Sequence, residues 1–385
     1  MFYAAILGLG CNIGISKIAS VSKGISEDVL LNLVNWHISL DNINLAIQKI
    51  LEYLDKLTLT HIYQKDQNIL HTSSDGRKIG VAVASLNANS SYKYFGHGIG
   101  ITNYSFIDHS NRVFYATAIS SAEREAAYVI DGVMHNPLIQ SNIHSTDTHG
   151  YSEVIFAVMH LLGIYFAPRI KGLKTATLYG FNSRKSYADQ GFKILPSHYT
   201  NEELIKGQWD NILRLIVTIK LRDITASQIF RRLSSYSKQH PLYCALKEFG
   251  RIIKTAFILD YIDDVELRQM IEKQLNKVEL SNKFAKAISF DNNHEMQYSS
   301  KEEQDMVINS QVLIQNSIVL WNELYLSQKI VSTDDLITRI QIVETISNGS
   351  TQSWGHLNFG GEYDFRDGYL SENGFELDKI LALQL

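Results

Sequence analysis

The feature that most constrains the fold is a change of hydrophobic period near residue 69. Before it, apolar residues recur at helical spacing, through Val29, Leu30 and Val34 and again through Leu45, Ile47, Ile50, Leu51 and Leu54. Asp41 and Asn42 mark a helix start between the two runs. Beyond it come short runs of β-branched and apolar residues. Residues 69–74 and 79–86 flank the turn dipeptide Asp75-Gly76, and residues 99–107 and 112–119 read as an antiparallel pair joined by a polar turn. A helix is expected next, with Ser120 and Glu123 in a capping-box pattern and Ala126, Val129, Ile130 and Val133 on its apolar face. Residues 142–147 are a short strand, residues 151–162 a helix ended by Gly163, and residues 164–167 a strand before Pro168. The order β, β, β, α, β, α, β predicts an α/β fold, a mixed sheet with flanking helices.

From Glu202 onward the pattern is helical. Pro241 fits the first turn of a helix running to about Tyr261, another follows Asp263-Asp264, and a third spans residues 301–330. This divides the chain into a helical region at 1–60, a sheet-bearing core at 61–170, a helical stretch at 171–262 and a C-terminal region at 263–385. Charge follows the division unevenly. The chain has a net charge of −4, yet residues 161–260 carry 16 Lys and Arg against 7 Asp and Glu. That excess permits a basic face for a polyanion, or a scatter of solvated charges. With only four prolines and 45% apolar residues, extended disorder is not expected. No apolar stretch approaches the ~18 residues needed to cross a bilayer, and no basic residue precedes the apolar residues 4–11 as in a signal peptide. Cys11 and Cys244 are too few for a disulfide framework or a cysteine zinc site. The simplest expectation is a cytoplasmic protein without a membrane partner.

Two carboxylates fall where strand meets turn, Asp75 after the first strand and Asp147 after the fourth. If those strands are neighbours the side chains converge, and a divalent cation relieves their repulsion. Mg²⁺ favours a few carboxylates together with water and phosphate oxygens. Two such ions about 3.5–4 Å apart can stabilise both the attacking and leaving oxygens of a phosphodiester. The alternative is that Asp75 forms a turn and Asp147 caps a helix. His144 and His149 flank Asp147 and could orient groups around it, contact DNA or bind zinc. Arg169, Lys171 and Lys174 form one basic cluster and Arg231, Arg232 and Lys238 another, each either a phosphate contact or a solvated face. Gly96, Gly98 and Gly100 precede a strand rather than a helix, so they read as a flexible β-turn, not a dinucleotide loop.

These residues carry a resemblance. The strings His71-Thr-Ser-Ser-Asp75-Gly76, Ser121-Ala-Glu-Arg-Glu-Ala126, Ser145-Thr-Asp147-Thr-His149-Gly150, Met159-His-Leu-Leu-Gly163 and Phe166-Ala-Pro-Arg169-Ile170 resemble the replicative transposases of bacterial class II transposons, the Tn-three family. Trp209 to Arg214, Tyr236 to Pro241 and Gln274-Leu-Asn-Lys-Val-Glu279 continue the likeness, so it covers essentially the whole chain. The resemblance implies an RNase H-like domain with an Asp-Asp-Glu triad at Asp75, Asp147 and Glu279, holding two Mg²⁺ or Mn²⁺ ions. Spacing by itself leaves Glu266, Glu272 and Glu279 open, because Glu272 and Glu279 share one helix face. Val278 departs from the family, which usually has Gly there; a Gly needed for a tight backbone conformation would leave Val strained. The implied reaction is transesterification: a transposon end is cleaved to free a 3′-OH, which attacks target DNA on the way to a cointegrate. The implied partners are transposon-end and target DNA, with a homodimer on the paired ends. Localisation at the nucleoid is implied when the protein is bound to DNA. Family members are much longer, and the resemblance covers their C-terminal catalytic portion. A second reading is therefore a truncated, non-catalytic DNA-binding module that co-assembles with full-length transposase and inhibits it. A third is a decaying reading frame whose product folds without a role.

Overall fold

In a computed structural model, the chain does not turn at Asp75-Gly76. A single strand, β1 (His71–Val81), runs through both residues. Its first four residues pair with one neighbour and its later part lies beside another, so ladder hydrogen bonds outweigh the local turn preference. The structure describes residues 1–63, 69–136, 138–235, 240–347, 349–365 and 374–384. The remaining main strands are β2 (Ile99–Asp108), β3 (Val113–Ser120), β4 (Ile143–Thr146) and β5 (Tyr165–Phe166). The principal helices are α1 (Phe2–Gly10), α2 (Leu40–Leu54), α3 (Val129–His135), α4 (Glu153–Leu161), α5 (Glu202–Leu221), α6 (Ala226–Ser234), α7 (Pro241–Asp263), α8 (Val265–Ile288) and α9 (Lys301–Val331). The chain is thus α/β, with a mixed sheet and many helices. It forms two compact units, the first from Met1–Asn68, Gly76–Glu123 and Lys277–Leu385 and the second from Ile69–Asp75 and Arg124–Asn276.

In the second unit β4 lies between β1 and β5, parallel to both. Parallel neighbours need a crossover, and α4 supplies the one from β4 to β5. Residues 154–159 of α4 are all buried, with Phe156 edge-on to Phe166 of β5 at 4.9 Å between ring centroids. A helix buried all round needs a second layer outside it, and α7 provides that layer. As the sequence predicts, α7 starts with Pro241 in its first turn. It meets α4 at Gly250, where an added Cβ would overlap the Glu153 carbonyl. Ile212, Leu215, Ile216 and Ile219 of α5 are buried, and α5 covers α7. The helix expected to start at Ser120 starts later, as a 3-10 turn at Glu125–Tyr128 leading into α3. Ser120 is instead the last residue of β3, its hydroxyl accepting a hydrogen bond from the Asn89 amide.

In the first unit β2 and β3 form the expected hairpin, with Thr102 opposite Ile119 and Tyr104 opposite Thr117. The other edge of β3 is closed by side chains of α9. Asn316 accepts from the Val113 N–H at 3.1 Å and donates to its carbonyl at 2.8 Å. Asn309 donates to the Ala116 carbonyl at 3.3 Å, and Asp305 accepts from the Ala118 N–H at 2.6 Å. Positions 305, 309 and 316 share one helix face, so α9 stands in for a strand. In α2 the buried line is Ile43, Ile47, Leu51 and Leu54. Leu45, expected on that face, is 57% exposed; spacings of four, four and three residues keep the observed line straight along the helix.

The hairpin tip, Asp108 to Arg112, is buried although every residue in it is polar. It is sustained by its own bonds: Asp108 Oδ1 accepts from the Ser110 and Arg112 N–H groups, and Arg112 Nε donates to Asp108 Oδ2 at 2.6 Å. Glu323 is buried in the same unit, accepting from the Thr60 hydroxyl. Burial pushes its carboxyl up to about 8, against the pull of Arg112.

Two predictions follow from packing and charge. Gly250→Ala gains helix propensity but drives a methyl into the α4 backbone; a net loss of about 1–3 kcal/mol is expected by chemical denaturation. The raised carboxyl of Glu323 gives stability that is whole below pH 4.5 and is lost as pH rises toward 8. The loss approaches roughly 1.4 kcal/mol per pH unit within that window. Glu323→Gln should therefore be less sensitive to pH across it than the unmodified protein, and relatively more stable at pH 8.

Candidate active site

The site is built on the ladder between β1 and β4. Its four pairs end with Ser74 opposite Thr146. Asp75 and Asp147 come one residue later, and strand alternation sends both to the face shared with Ser73 and Ser145. The expected convergence is realised. Asp75, Asp147 and a third acid, Glu125, each offer a ligand oxygen within 4.8 Å of the others. Asp147 also opens a 3-10 turn at Thr148–Gly150, its Oδ1 accepting from the Gly150 N–H at 3.2 Å. The turn folds back closely over β4: a Cβ on Gly150 would lie 2.6 Å from the Thr146 side chain. Glycine here lets the carboxylate be held at the strand end.

The opposite face of the same ladder carries a buried polar network. His144 is fully buried, with Nδ1 2.8 Å from the Thr72 hydroxyl and Nε2 2.9 Å from that of Ser74. Burial, reinforced by nearby His71, pushes its imidazole down to about 3, so the ring is neutral. On the carboxylate face, His71 Nε2 lies 2.8 Å from the Ser145 hydroxyl. Ser73 bonds both the carbonyl and the side-chain amide of Gln274 on α8, each at 3.2 Å. His144 thus braces the strands from behind the carboxylates.

Glu279 lies on the part of α8 that belongs to the first unit and is exposed. Glu272, the alternative third acid, is paired with Arg169 at 3.3 Å. Val278 is buried within a regular turn of α8 and has no positive φ, so no strain arises there. Lys171 and Lys174 are exposed on the loop after β5. Arg231 and Arg232 are exposed in the last turn of α6, Arg231 donating to the Tyr128 hydroxyl at 2.9 Å. Lys238 and the side chain of His149 lie outside the described residues. Glu125 was not singled out by sequence reasoning. It lies inside the string Ser121 to Ala126, but it falls in a 3-10 turn whose place beside the two strand ends no local pattern reveals.

Among the described residues the donor set offers carboxylate oxygens and neither thiolate nor imidazole, which suits a hard divalent cation. The Tn3 transposase DDE domain, as a family model, matches residues 1–363. The chain is 34% identical over 383 residues to the transposase of transposon Tn1546 from Enterococcus faecium, covering 99% of this chain and 38% of that protein. It is 32% identical over 305 residues to the transposase of Tn501 from Pseudomonas aeruginosa, covering 79% of this chain and 30% of that one. The gamma-delta transposase of Escherichia coli K12 is 31% identical over 246 residues, covering 64% of this chain and 24% of its own. The chain therefore spans well under half the length of these relatives. The family match runs unbroken through both aspartate-bearing strands and all of α8, and the chain belongs to the Tn3 transposase DDE-domain family.

Proposed function

We propose that this chain is the catalytic portion of a replicative DNA transposase, an RNase H-like domain that cleaves DNA at transposon ends and joins the freed 3′-OH to target DNA. The observation that carries this reading is the meeting of Asp75 and Asp147 one residue beyond a parallel ladder. In this reading Asp75 and Asp147 hold Mg²⁺ or Mn²⁺, and the family resemblance supplies Glu279 as the third ligand. Glu125, already beside the two aspartates, is the other acid able to serve. A pair of such cations would favour ionisation of the attacking water or hydroxyl and neutralise charge gathering on the phosphodiester.

The protein's own part is positioning. The ladder sets the two carboxylates on one face, and the Gly150 N–H orients Asp147. Neutral His144 keeps the strands in register without adding positive charge behind the site. Arg169, Lys171, Lys174, Arg231 and Arg232 are the cations we assign to DNA phosphates, as is Lys238 from the sequence. Action on two paired ends suits a homodimer leading to a cointegrate.

The test is strand cleavage of a transposon-end substrate with the chain joined to the end-recognising region of a relative. Asp147→Asn keeps shape and removes one charge, so cleavage should fall at least about 1,000-fold while thermal stability changes little. Mn²⁺-induced thermal stabilisation, measured in parallel, should also shrink. Cleavage at the unmodified rate would end the metal-carboxylate reading. An inactive Glu279→Gln beside an active Glu125→Gln would support the family triad, and the reverse would give the third place to Glu125.

A further inference from the structure

Between the β5 strand and α5 the chain forms a small knob that the reaction above leaves unused. A two-residue parallel pair, Tyr179 with His198 and Gly180 with Tyr199, closes its base. Both ends are pinned to α7: the Tyr179 N–H donates to the Thr255 hydroxyl at 2.9 Å, and the Asn201 N–H to Glu248 Oε2 at 3.0 Å. Its interior is Gly180 packed under the Tyr187 ring and Pro196, with no room for a Cβ on that glycine. Tyr187 in turn accepts from the Phe181 N–H and lies edge-on to Phe192 at 6.0 Å between centroids. The backbone around the rings is therefore held in place.

What the knob holds out is mainly aromatic, with one aliphatic side chain, Ile194, 47% exposed beside the rings. Phe181 is 51% exposed, Phe192 57% and Tyr199 57%. Phe192 keeps one edge against Tyr187 and the Tyr199 hydroxyl accepts from the Arg184 N–H at 3.3 Å, yet each ring stays more than half exposed. The knob's own sequence is basic: residues 179–200 contain Arg184, Lys185 and Lys193 against a single acid, Asp189. An apolar protein surface would complement the rings and leave the cations unmatched. Duplex DNA would match the cations but hides its base faces in the stack. An unpaired strand offers phosphates and open base faces together.

We propose that Phe181, Phe192 and Tyr199, with Arg184, Lys185 and Lys193 around them, form a stacking platform for an unpaired DNA strand. The inference goes beyond the strand-transfer reading and does not depend on the carboxylates. The cations act on phosphates irrespective of sequence, and the rings stack on any base, so binding is expected to be tolerant of sequence.

The experiment is fluorescence anisotropy with the 385-residue chain in EDTA, so that no metal-dependent step contributes. The probes are a non-self-complementary strand of about 20 nucleotides and a duplex of the same length. The unmodified chain should bind the single strand more tightly than the duplex. Phe181→Ser with Phe192→Ser should weaken single-strand binding by about tenfold or more, leave duplex binding unchanged and preserve the salt slope. Phe181→Trp with Phe192→Trp should restore it. Equal affinity of the unmodified chain for both probes would overturn the proposal. So would an undiminished double serine variant, or one that changes only the oligomeric state on size-exclusion chromatography. The strand-transfer reading is tested by cleavage, and its failure leaves the effect of the serine and tryptophan variants on single-strand binding unchanged.

Discussion

Four residue pairs, His71 to Ser74 against Ile143 to Thr146, carry the candidate site. Because side chains alternate along a strand, a slip of one position would send one aspartate to the face opposite the other. The register is therefore more than a detail of pairing. It is held by side chains as well as backbone: His144 reaches the hydroxyls of Thr72 and Ser74, and His71 that of Ser145. A neutral imidazole has one donor and one acceptor, and rotatable hydroxyls can complement both. Buried bonds of this kind are costly to break, so they oppose slippage in a way that exposed pairs would not.

The two units finish their strands in different ways. In the second, α4 covers the strands with apolar side chains, and Phe156 meets both Phe166 of β5 and Phe257 of α7. In the first, β3 ends against a helix that meets the strand edge with polar side chains. Asp305, Asn309 and Asn316 have little apolar surface to bury, yet each satisfies a strand group that would otherwise be desolvated without a partner. The two solutions answer the same requirement for backbone satisfaction with opposite side-chain chemistry.

Much of this architecture could be read from the sequence, for physical reasons that also explain the rest. The hairpin of β2 and β3, the crossover through α4, the start of α7 at Pro241 and the long α9 all announce themselves through periodicity or a cap. The pairing of the aspartates depended on strands one and four being neighbours, which local pattern suggests only conditionally. Asp75-Gly76 misleads because a turn preference is local while partners on β1 are not. Leu45 misleads because a neighbouring apolar residue can fit a helical period and still face solvent. Glu125 lay inside a recognisable string, but nothing in an acid's identity says that its helix starts beside two strand ends. The role of α9 was least visible, since buried Asn and Gln look like an exposed helix when read one residue at a time.

The substitute strand has a consequence in time. Asn316 is 203 residues beyond Val113, the residue whose backbone it completes. At ribosomal rates of about 5–20 residues per second, the hairpin waits roughly 10–40 s for its missing partner. Throughout that interval β3 presents bare donors and acceptors to any passing strand, including another nascent copy. The first unit is thus a late-closing element of synthesis, completed only once α9 has been made.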